Sequence, residues 1–184
     1  MNKAIAIIEL QSIVRGWSTA DAMVKKAPVR LEDIGVVSPG KYLILVSGDV
    51  ASVEEAFLAG MECAADCLLD RLFLPRPHDD ILAWLDGSLS PPDMDALGLI
   101  EVFSAAASVR AADVSLKAAD VSLLELRFRK HLGGKGYLVF TGEQHDVEAA
   151  LEAGCAEVAQ DGLLARRELI ARPHADLIQR LKEG

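Results

Sequence analysis

The sequence predicts an α+β fold made of two tandem ferredoxin-like domains, each with the order β-α-β-β-α-β followed by a short helix. The first observation behind this prediction is an internal repeat. Two pairs of segments show it: AIAIIELQS (residues 4–12) returns as ALGLIEVFS (96–104), and SPGKYLILVSGD (38–49) returns as LGGKGYLVFTGE (132–143). The second observation is that strand-like alternation and helix-like spacing of apolar residues follow one another in the same order in both copies.

The two copies stay in register with a small drift along the chain. The offset grows from 92 to 94 to 96 residues, as three pairs show: Glu9 with Glu101, Gly40 with Gly134, and His78 with His174. This drift requires two short insertions in the second copy. The segment GSLSPPD at 87–93 has the composition of a linker. We therefore predict a first domain over 1–88 and a second over 94–184.

The first strand and helix of the repeat are indicated by periodicity and capping. Residues 3–10 alternate and are rich in isoleucine, which favours a strand. Ser18 followed three positions later by Asp21 resembles an N-cap with an acid in the first turn, so we expect a helix from there to about Lys26.

A β-hairpin and a second helix follow. Two runs of strand-forming residues, 29–37 and 41–47, are joined through Ser38-Pro39-Gly40, which is typical of a turn. Asp49 can then cap a helix in which the apolar and small residues fall at helical spacing as far as Cys67.

The repeat closes with a strand and a short helix. Residues 70–74 predict the last strand, and the prolines that follow it stop its pairing. A short helix then carries Ile81, Leu82 and Trp84. The second copy predicts the same series of elements.

Composition narrows the classes of function. The 184 residues are 51% hydrophobic and 26% charged, so the chain can bury a core. A net charge of −9 argues against nucleic acid and anionic membrane surfaces as partners. We also expect no transmembrane helix and no signal peptide, because no long apolar run occurs and Glu9 interrupts the first apolar stretch. Three cysteines without a secretory signal indicate a reducing, cytosolic setting.

Several motifs in fixed order, occurring in both copies, resemble the shell domain of bacterial microcompartments (BMC). The first copy contributes IIEL, ADAMVKKAPV, LILVSGDVASVEEA and LPRPHDDI, and the second contributes LGLIEVFS, AADVSLKAADV, GGKGYLVFTGE and ARPHADL. The tandem, unpermuted order resembles shell proteins of the propanediol-utilisation type. The resemblance implies a structural protein of the bacterial cytoplasm that forms a single-layer pseudohexameric homotrimer. Its implied partners are other shell proteins at the disc edges and the enzymes that the shell encloses.

By this resemblance, the hairpin loop of each domain faces a central pore. The residues expected there are Val37, Ser38, Pro39, Gly40, Lys130, His131, Leu132, Gly133 and Gly134. Glycine and proline suit a tight turn, but a loop that only connects two strands would need them as well. Three copies of Lys130 at an axis would attract anionic metabolites, whereas a solvated lysine at a strand end is the alternative.

Some relatives hold an iron–sulfur cluster on cysteines of the first pore loop. Ser38 stands at that position here, and a neutral hydroxyl is a poor ligand for such a cluster. We therefore expect no cofactor. Cys63 and Cys67 lie four residues apart in a predicted helix, with no further ligand nearby in sequence, so we interpret them as small core residues and predict no metal site.

The resemblance also assigns a set of residues to the disc edges, where neighbouring discs meet. These residues recur in both copies: Lys25, Arg76 and His78, and Lys117, Arg172 and His174. Their side chains can reach backbone carbonyls of a neighbour. Each would otherwise be an ordinary surface cation, and the two histidines also read as helix-start residues.

Two other classes of function stay open from the residues alone. One is a regulatory protein of tandem ferredoxin-like domains that binds a small molecule at subunit interfaces. The other is an enzyme that uses His78, His174 and Glu9. We predict no enzyme, because no phosphate-binding loop, metal signature or nucleophile elbow occurs. Glu9 and Glu101 lie inside apolar strands, where a hydrogen-bonded structural carboxylate between subunits is the favoured interpretation.

Overall fold

A computed structural model describes residues 3–90, 92–128 and 132–183 of the chain. These residues form two compact units. Unit 1 contains residues 3–77 together with 104–106 and 132–134, and unit 2 contains the other described residues.

Each repeat contains the predicted elements in the predicted order. The first has β1 (Ala4–Leu10), α1 (Ile13–Lys26), β2 (Arg30–Val37), β3 (Lys41–Gly48), α2 (Val50–Ala64), β4 (Leu68–Leu74) and α3 (Asp79–Asp86). The second has β5 (Ala96–Val102), α4 (Ala105–Ala118), β6 (Val121–Arg127), β7 (Gly136–Gly142), α5 (Gln144–Ala159), β8 (Leu164–Ile170) and α6 (Ala175–Glu183). The predicted α+β class with two four-stranded sheets is confirmed.

The two sheets have equivalent strand orders, β2-β3-β1-β4 and β6-β7-β5-β8. Every pairing is antiparallel, and the register matches between copies, since Ala4 pairs with Gly48 as Ala96 pairs with Gly142. The hairpin strands are therefore β2–β3 and β6–β7, and their loops emerge at the same end of each sheet.

Helices α1 and α2 pack together and against the sheet in the first repeat, and apolar side chains from these elements form its core. Ile8, Ile44 and Met23 are among the fully buried members. The close approach of the two helices depends on Gly60, because a Cβ built there would lie 2.6 Å from Ile8 Cδ1 and 2.8 Å from Met23 Cγ. Gly154 occupies the equivalent position of the second repeat.

Two local predictions are wrong. Helix α1 begins at Ile13, because Ser12 is its N-cap and accepts a hydrogen bond from the Arg15 N–H at 3.2 Å. Ser18 therefore lies inside the helix. Helix α2 ends at Ala64, and Cys67 closes a short 3₁₀ turn over Ala65–Cys67, where Ala65 adopts a positive φ of 47° that breaks the α-helical path.

Helix α3 ends the first repeat in sequence but belongs to unit 2 in the fold. The Asp80 carboxylate accepts the Leu123 N–H at 2.8 Å, and the rings of Trp84 and Phe128 lie 5.4 Å apart. The compact units thus divide the chain after Pro77, whereas the domain limits of 88 and 94 describe the repeats in the sequence and stay a prediction.

Candidate pore loops and assembly surfaces

The first hairpin loop is a tight turn between β2 and β3. The Gly40 N–H donates to the Val37 carbonyl at 3.1 Å, and Gly40 has a φ of 96° that favours glycine. Val37 is buried, whereas Pro39 and Gly40 are exposed and Ser38 is half-buried. This turn therefore leaves the Ser38 to Gly40 tip accessible at the end of the sheet.

The second loop lies next to the first within unit 1. Gly133 and Gly134 both have positive φ, 60° and 84°. A Cβ built on Gly134 would lie 3.0 Å from Pro39 Cδ and 3.2 Å from the Ser38 carbonyl oxygen, so the two loops approach each other closely. Leu132 is half-buried, and the remaining two predicted pore residues of this loop, Lys130 and His131, lie outside the described residues.

A buried carboxylate anchors the first loop. Glu9 in β1 accepts a hydrogen bond from Lys41 Nζ at 2.9 Å, and Lys41 directly follows the loop. Its other oxygen accepts the Ala105 N–H at 2.9 Å. Glu101 and Lys135 repeat the ion pair in unit 2, at 3.1 Å. Glu9 and Glu101 are thus hydrogen-bonded within the chain, as a structural carboxylate would be, and their predicted place between subunits stays a prediction.

The thiol set does not fit an iron–sulfur cluster at the first loop. The hydroxyl of Ser38 stands at the tip, and the three cysteines lie elsewhere: Cys63 in α2, Cys67 in the turn after it, and Cys155 in α5. Burial raises the pKa of the Cys155 thiol and so disfavours the thiolate that ligates iron. Cys63 and Cys67 are half-buried, which makes them less enclosed than the predicted core residues.

The predicted edge lysines each pair with an aspartate one helical turn earlier. Lys25 Nζ lies 2.6 Å from Asp21, and Lys117 Nζ lies 2.6 Å from Asp113. In unit 2 the Asp113 carboxylate also accepts the His78 N–H at 2.8 Å, so it joins two of the predicted edge residues. Arg76 and Arg172 are exposed.

Each of the two predicted histidines lies directly before the first residue of a helix. His78 Nδ1 accepts the Asp80 N–H at 3.2 Å, and His174 Nδ1 accepts the Asp176 N–H at 3.3 Å. These bonds satisfy donors that the first turn of a helix leaves open. The helix-start interpretation of the histidines is thereby confirmed.

Sequence reasoning missed the aspartates that organise these contacts. Asp113 and Asp80 accept backbone N–H groups from distant residues, and Asp70 accepts the hydroxyl of Ser104. The sequence indicated two of them, because an aspartate occurs at the equivalent position of the other repeat: Asp21 for Asp113, and Asp176 for Asp80.

The family model for the BMC domain matches the chain twice, over residues 4–77 and 96–173. The chain belongs to the BMC domain family. The two matches agree with the internal repeat and with the two sheets.

Members of this family resemble the chain over its full length. The bacterial microcompartment shell protein PduT of Citrobacter freundii is 38% identical over 184 residues, which is 100% of both chains. The crystal structure of a microcompartment protein from Desulfitobacterium hafniense DCB is 37% identical with a TM-score of 0.86, and the match covers 98% of this chain and 99% of that one. A fused permuted hexameric shell protein of the RMM microcompartment, 23% identical, has a TM-score of 0.63 over 86% of this chain and 84% of its own, and shows the shared fold.

These findings decide the main sequence predictions. The BMC shell-protein resemblance is confirmed, and homology supports the structural role over the regulatory alternative, which no finding favours. The family consists of structural shell proteins, in agreement with a protein that is not an enzyme. Among the described residues, no helix is both long and apolar enough to cross a membrane.

Proposed function

We propose that this BMC protein is a structural subunit of a microcompartment shell, that it forms a single-layer homotrimer, and that trimers tile edge to edge. The observation that carries the proposal is the duplication itself. Two similar domains in each of three chains give six near-equivalent wedges about one axis, which is a closed cyclic arrangement.

The hairpin loops line a central pore in this proposal. Its support is the proximity of Gly134 to Ser38 and Pro39, since loops of both repeats have to converge if they share an axis. Ser38 would then supply three equivalent hydroxyls, an uncharged polar constriction. Metabolites are the solutes that such a shell pore would pass.

The proposed edge contacts involve Lys25 and Lys117 together with the arginine and histidine of the two Arg-Pro-His segments, 76–78 and 172–174. The support is their recurrence at equivalent places: the exposed lysines lie at the end of the first helix of each repeat, and the exposed arginines and the histidines precede the last helix of each repeat. Other shell proteins with the same edge chemistry are the proposed neighbours in the shell, and the enclosed enzymes are proposed contents.

The test compares native mass with electron microscopy of the purified protein. We expect a mass of three chains and the formation of sheets or tubes. Changing Lys25 and Lys117 together to alanine should abolish the sheets and leave the trimer intact. Lys26→Ala is the matched control, because Lys26 is the neighbouring exposed lysine at the end of α1 and pairs with Glu55. Unchanged sheets in the double variant would contradict the edge assignment, and a native mass of one or two chains would contradict the trimer.

A further inference from the structure

The two repeats differ in the cleft between their second helix and their last strand. In unit 1 this cleft holds the rings of Phe57 in α2 and Phe73 in β4, which stack with centroids 5.8 Å apart and an interplanar angle of 20°. The equivalent residues of unit 2 are Leu151 in α5 and Leu169 in β8. Leucine has a shorter side chain without a flat face, so the two leucines do not close the cleft as the stacked rings do.

An open groove of about 470 Å³ lies at this place in unit 2. Small-molecule sites have volumes of about 300–1,000 Å³. Leu151 is buried and Leu169 is 36% exposed, so apolar surface runs from the floor of the groove to its opening. The groove is lined by residues of α5 and β8: Glu148, Leu151, Glu152, Arg167, Glu168 and Leu169.

The helix side of the groove is acidic. Helix α5 contains four acidic residues and no lysine or arginine. Two of the four, Glu148 and Glu152, are exposed and lie one helical turn apart on the rim of the groove. Glu148 accepts a hydrogen bond from the Gln144 amide at 2.8 Å, and Glu152 makes no ion pair within the described part of the chain. Because like charges one turn apart repel each other, a cation bound beside both carboxylates would be favoured.

The strand side of the groove carries two charges that have partners within unit 2. The guanidinium of Arg167 interacts with the buried thiol of Cys155, and Glu168 pairs with Arg166 at 2.8 Å. The carboxylates of Glu148 and Glu152 therefore outweigh the single guanidinium among the charges that face a ligand, and the groove attracts cations.

The acidic rim and the missing rings occur in the same repeat. Leu58 and Leu72 of unit 1 stand where unit 2 has Glu152 and Glu168. The cleft that is filled by rings thus has apolar residues at these positions, whereas the open cleft has carboxylates. Shape and charge differ together, as a site for a charged ligand with an apolar body requires.

We infer that the groove between α5 and β8 binds an aromatic ammonium ion, with its ring on Leu151 and Leu169 and its ammonium group beside Glu148 and Glu152. The stacked rings of unit 1 show that this cleft of the fold accepts flat aromatic groups. The volume is that of a small-molecule site and not of an extended protein interface, so the occupant is a free molecule. All lining residues belong to unit 2, so the site does not depend on the proposed trimer.

The first test follows the methyl signals of Leu151 and Leu169 by NMR in the full-length, methyl-labelled protein. The probe is phenethylamine, which has a ring and an ammonium group at neutral pH, and 3-phenylpropionate is the matched anion. We expect saturable shifts of both leucines with phenethylamine and none with 3-phenylpropionate. Equal shifts with both compounds, or no saturable shift with phenethylamine, would overturn the inference.

The second test measures the affinity for phenethylamine in variants, by saturation transfer from the protein to the probe. Glu148→Gln with Glu152→Gln keeps the apolar surface and should weaken binding about tenfold. Glu54→Gln with Glu62→Gln is the matched control, because it removes the same charge from exposed positions of α2, and it should leave the affinity unchanged. An equal loss in both double variants would show attraction to the net charge alone and would contradict the site.

The third test fills the groove with the aromatic pair that unit 1 already has. Leu151→Phe with Leu169→Phe should abolish saturation transfer to phenethylamine, because its own rings would take the place of the ligand. If circular dichroism shows that this variant does not fold, the carboxylate variants decide the question. Leucine shifts that follow protein dilution without any probe would place a second copy of the chain in the groove, which would also overturn the inference.

Discussion

The glycine in the second helix of each repeat provides a quantitative test of the packing. Alanine is favoured over glycine inside a helix by about 1 kcal/mol, whereas adding a methyl group to a well-packed core costs about 1–3 kcal/mol. The sign of Gly60→Ala and of Gly154→Ala therefore depends on which atoms the new Cβ would meet.

The two sites differ in how far their neighbours can move. At Gly60 the Cβ would meet Cδ1 of Ile8 and Cγ and Sδ of Met23, and a methionine adapts readily, so we expect a net cost of about 0–1 kcal/mol. At Gly154 it would overlap Ser115 Oγ and lie 3.0 Å from the Ala111 carbonyl oxygen, which belongs to the backbone.

The serine makes the second site more costly. Ser115 is buried and donates to the Ala150 carbonyl at 3.0 Å, so moving its hydroxyl leaves a polar group unpaired at about 1–3 kcal/mol. After the gain in helix propensity, we expect Gly154→Ala to cost about 2–3 kcal/mol, roughly 2 kcal/mol more than Gly60→Ala.

The assay is urea unfolding followed by circular dichroism, at one fixed protein concentration because an oligomer's stability depends on it. A difference of about 2 kcal/mol shifts the midpoint by roughly 1 M when the slope is about 2 kcal/mol/M. Ala156→Gly, at an exposed position of α5, measures the propensity term alone and should cost about 1 kcal/mol. Adding Ser115→Ala to Gly154→Ala should give a smaller loss than the sum of the single losses. A Gly154→Ala protein as stable as the wild type would refute the reasoning.

Three further predictions test the carboxylates and the loop. Glu9→Gln should lower the free energy of unfolding by about 2–3 kcal/mol, because it breaks a buried charge pair. The control Glu55→Gln, at an exposed pair, should cost less than about 1 kcal/mol. Equal losses in urea unfolding would contradict this prediction. On anaerobic reconstitution the wild-type protein should acquire no iron–sulfur cluster, whereas Ser38→Cys should acquire one. Absorption and electron paramagnetic resonance would follow the cluster. A stoichiometric cluster in the wild type, or no cluster in an intact Ser38→Cys trimer, would count against the loop assignment. Hydrogen bonds from Ser52 hold the pKa of Asp49 below its usual value, so its stabilisation is present above the unfolded pKa of about 3.9 and is lost as the pH falls through the lower folded pKa. Asp49→Ala should therefore lower the urea midpoint at pH 7 and approach the wild type in acid, while Asp49→Asn keeps the acceptor and should show little pH dependence from this site.

The sequence allowed most of the fold to be predicted because the repeat reports each element twice. Period-two apolar runs located the strands, and Asp49 marked the start of α2, where its carboxylate accepts the Ser52 N–H at 3.1 Å. The start of α1 was misplaced because Ser12 has an arginine three residues on, whereas Ser18 and Asp21 imitate the stronger signature. Ser18 and Asp21 lie on the exposed face of the helix, where Asp21 pairs with Lys25 and does not cap the helix.

The contacts of the residues proposed for assembly could be predicted only in part. Motif resemblance assigned Lys117 and His78, which Asp113 joins within unit 2. The hydrogen bonds that the His78 N–H donates to Asp113 and the Leu123 N–H donates to Asp80 link residues 35 and 43 positions apart, and no local spacing rule predicts such pairs. The repeated aspartates were visible in the sequence, but what they accept became apparent only when the chain was folded.

The differences between the two repeats imply that the proposed trimer would have threefold rather than sixfold symmetry. Ala106 and Val109, which are buried, correspond to the larger and exposed Val14 and Trp17. A contact formed by the start of α1 would therefore need more space than the contact formed by the start of α4. The chemistry differs as well: Asp70 accepts the Ser104 hydroxyl in unit 1, whereas the equivalent of Asp70 is Arg166, which pairs with Glu168 at 2.8 Å.

The serine that corresponds to Ser104 in the first repeat is Ser12, and it makes a different hydrogen bond. Ser12 accepts the Arg15 N–H as the cap of α1. The hydrogen bond between Ser104 and Asp70 therefore has no counterpart between Ser12 and Arg166, and an equivalent contact at the start of α1 would have to use other atoms. Two separate identical domains would have to share one set of junction residues, whereas fusion allows each junction to evolve its own. Replacing Val14 and Trp17 with the alanine and valine that the second repeat has at these positions should accordingly weaken the contact between chains of the proposed trimer. The folding of each unit should be unchanged, as native mass and circular dichroism would show.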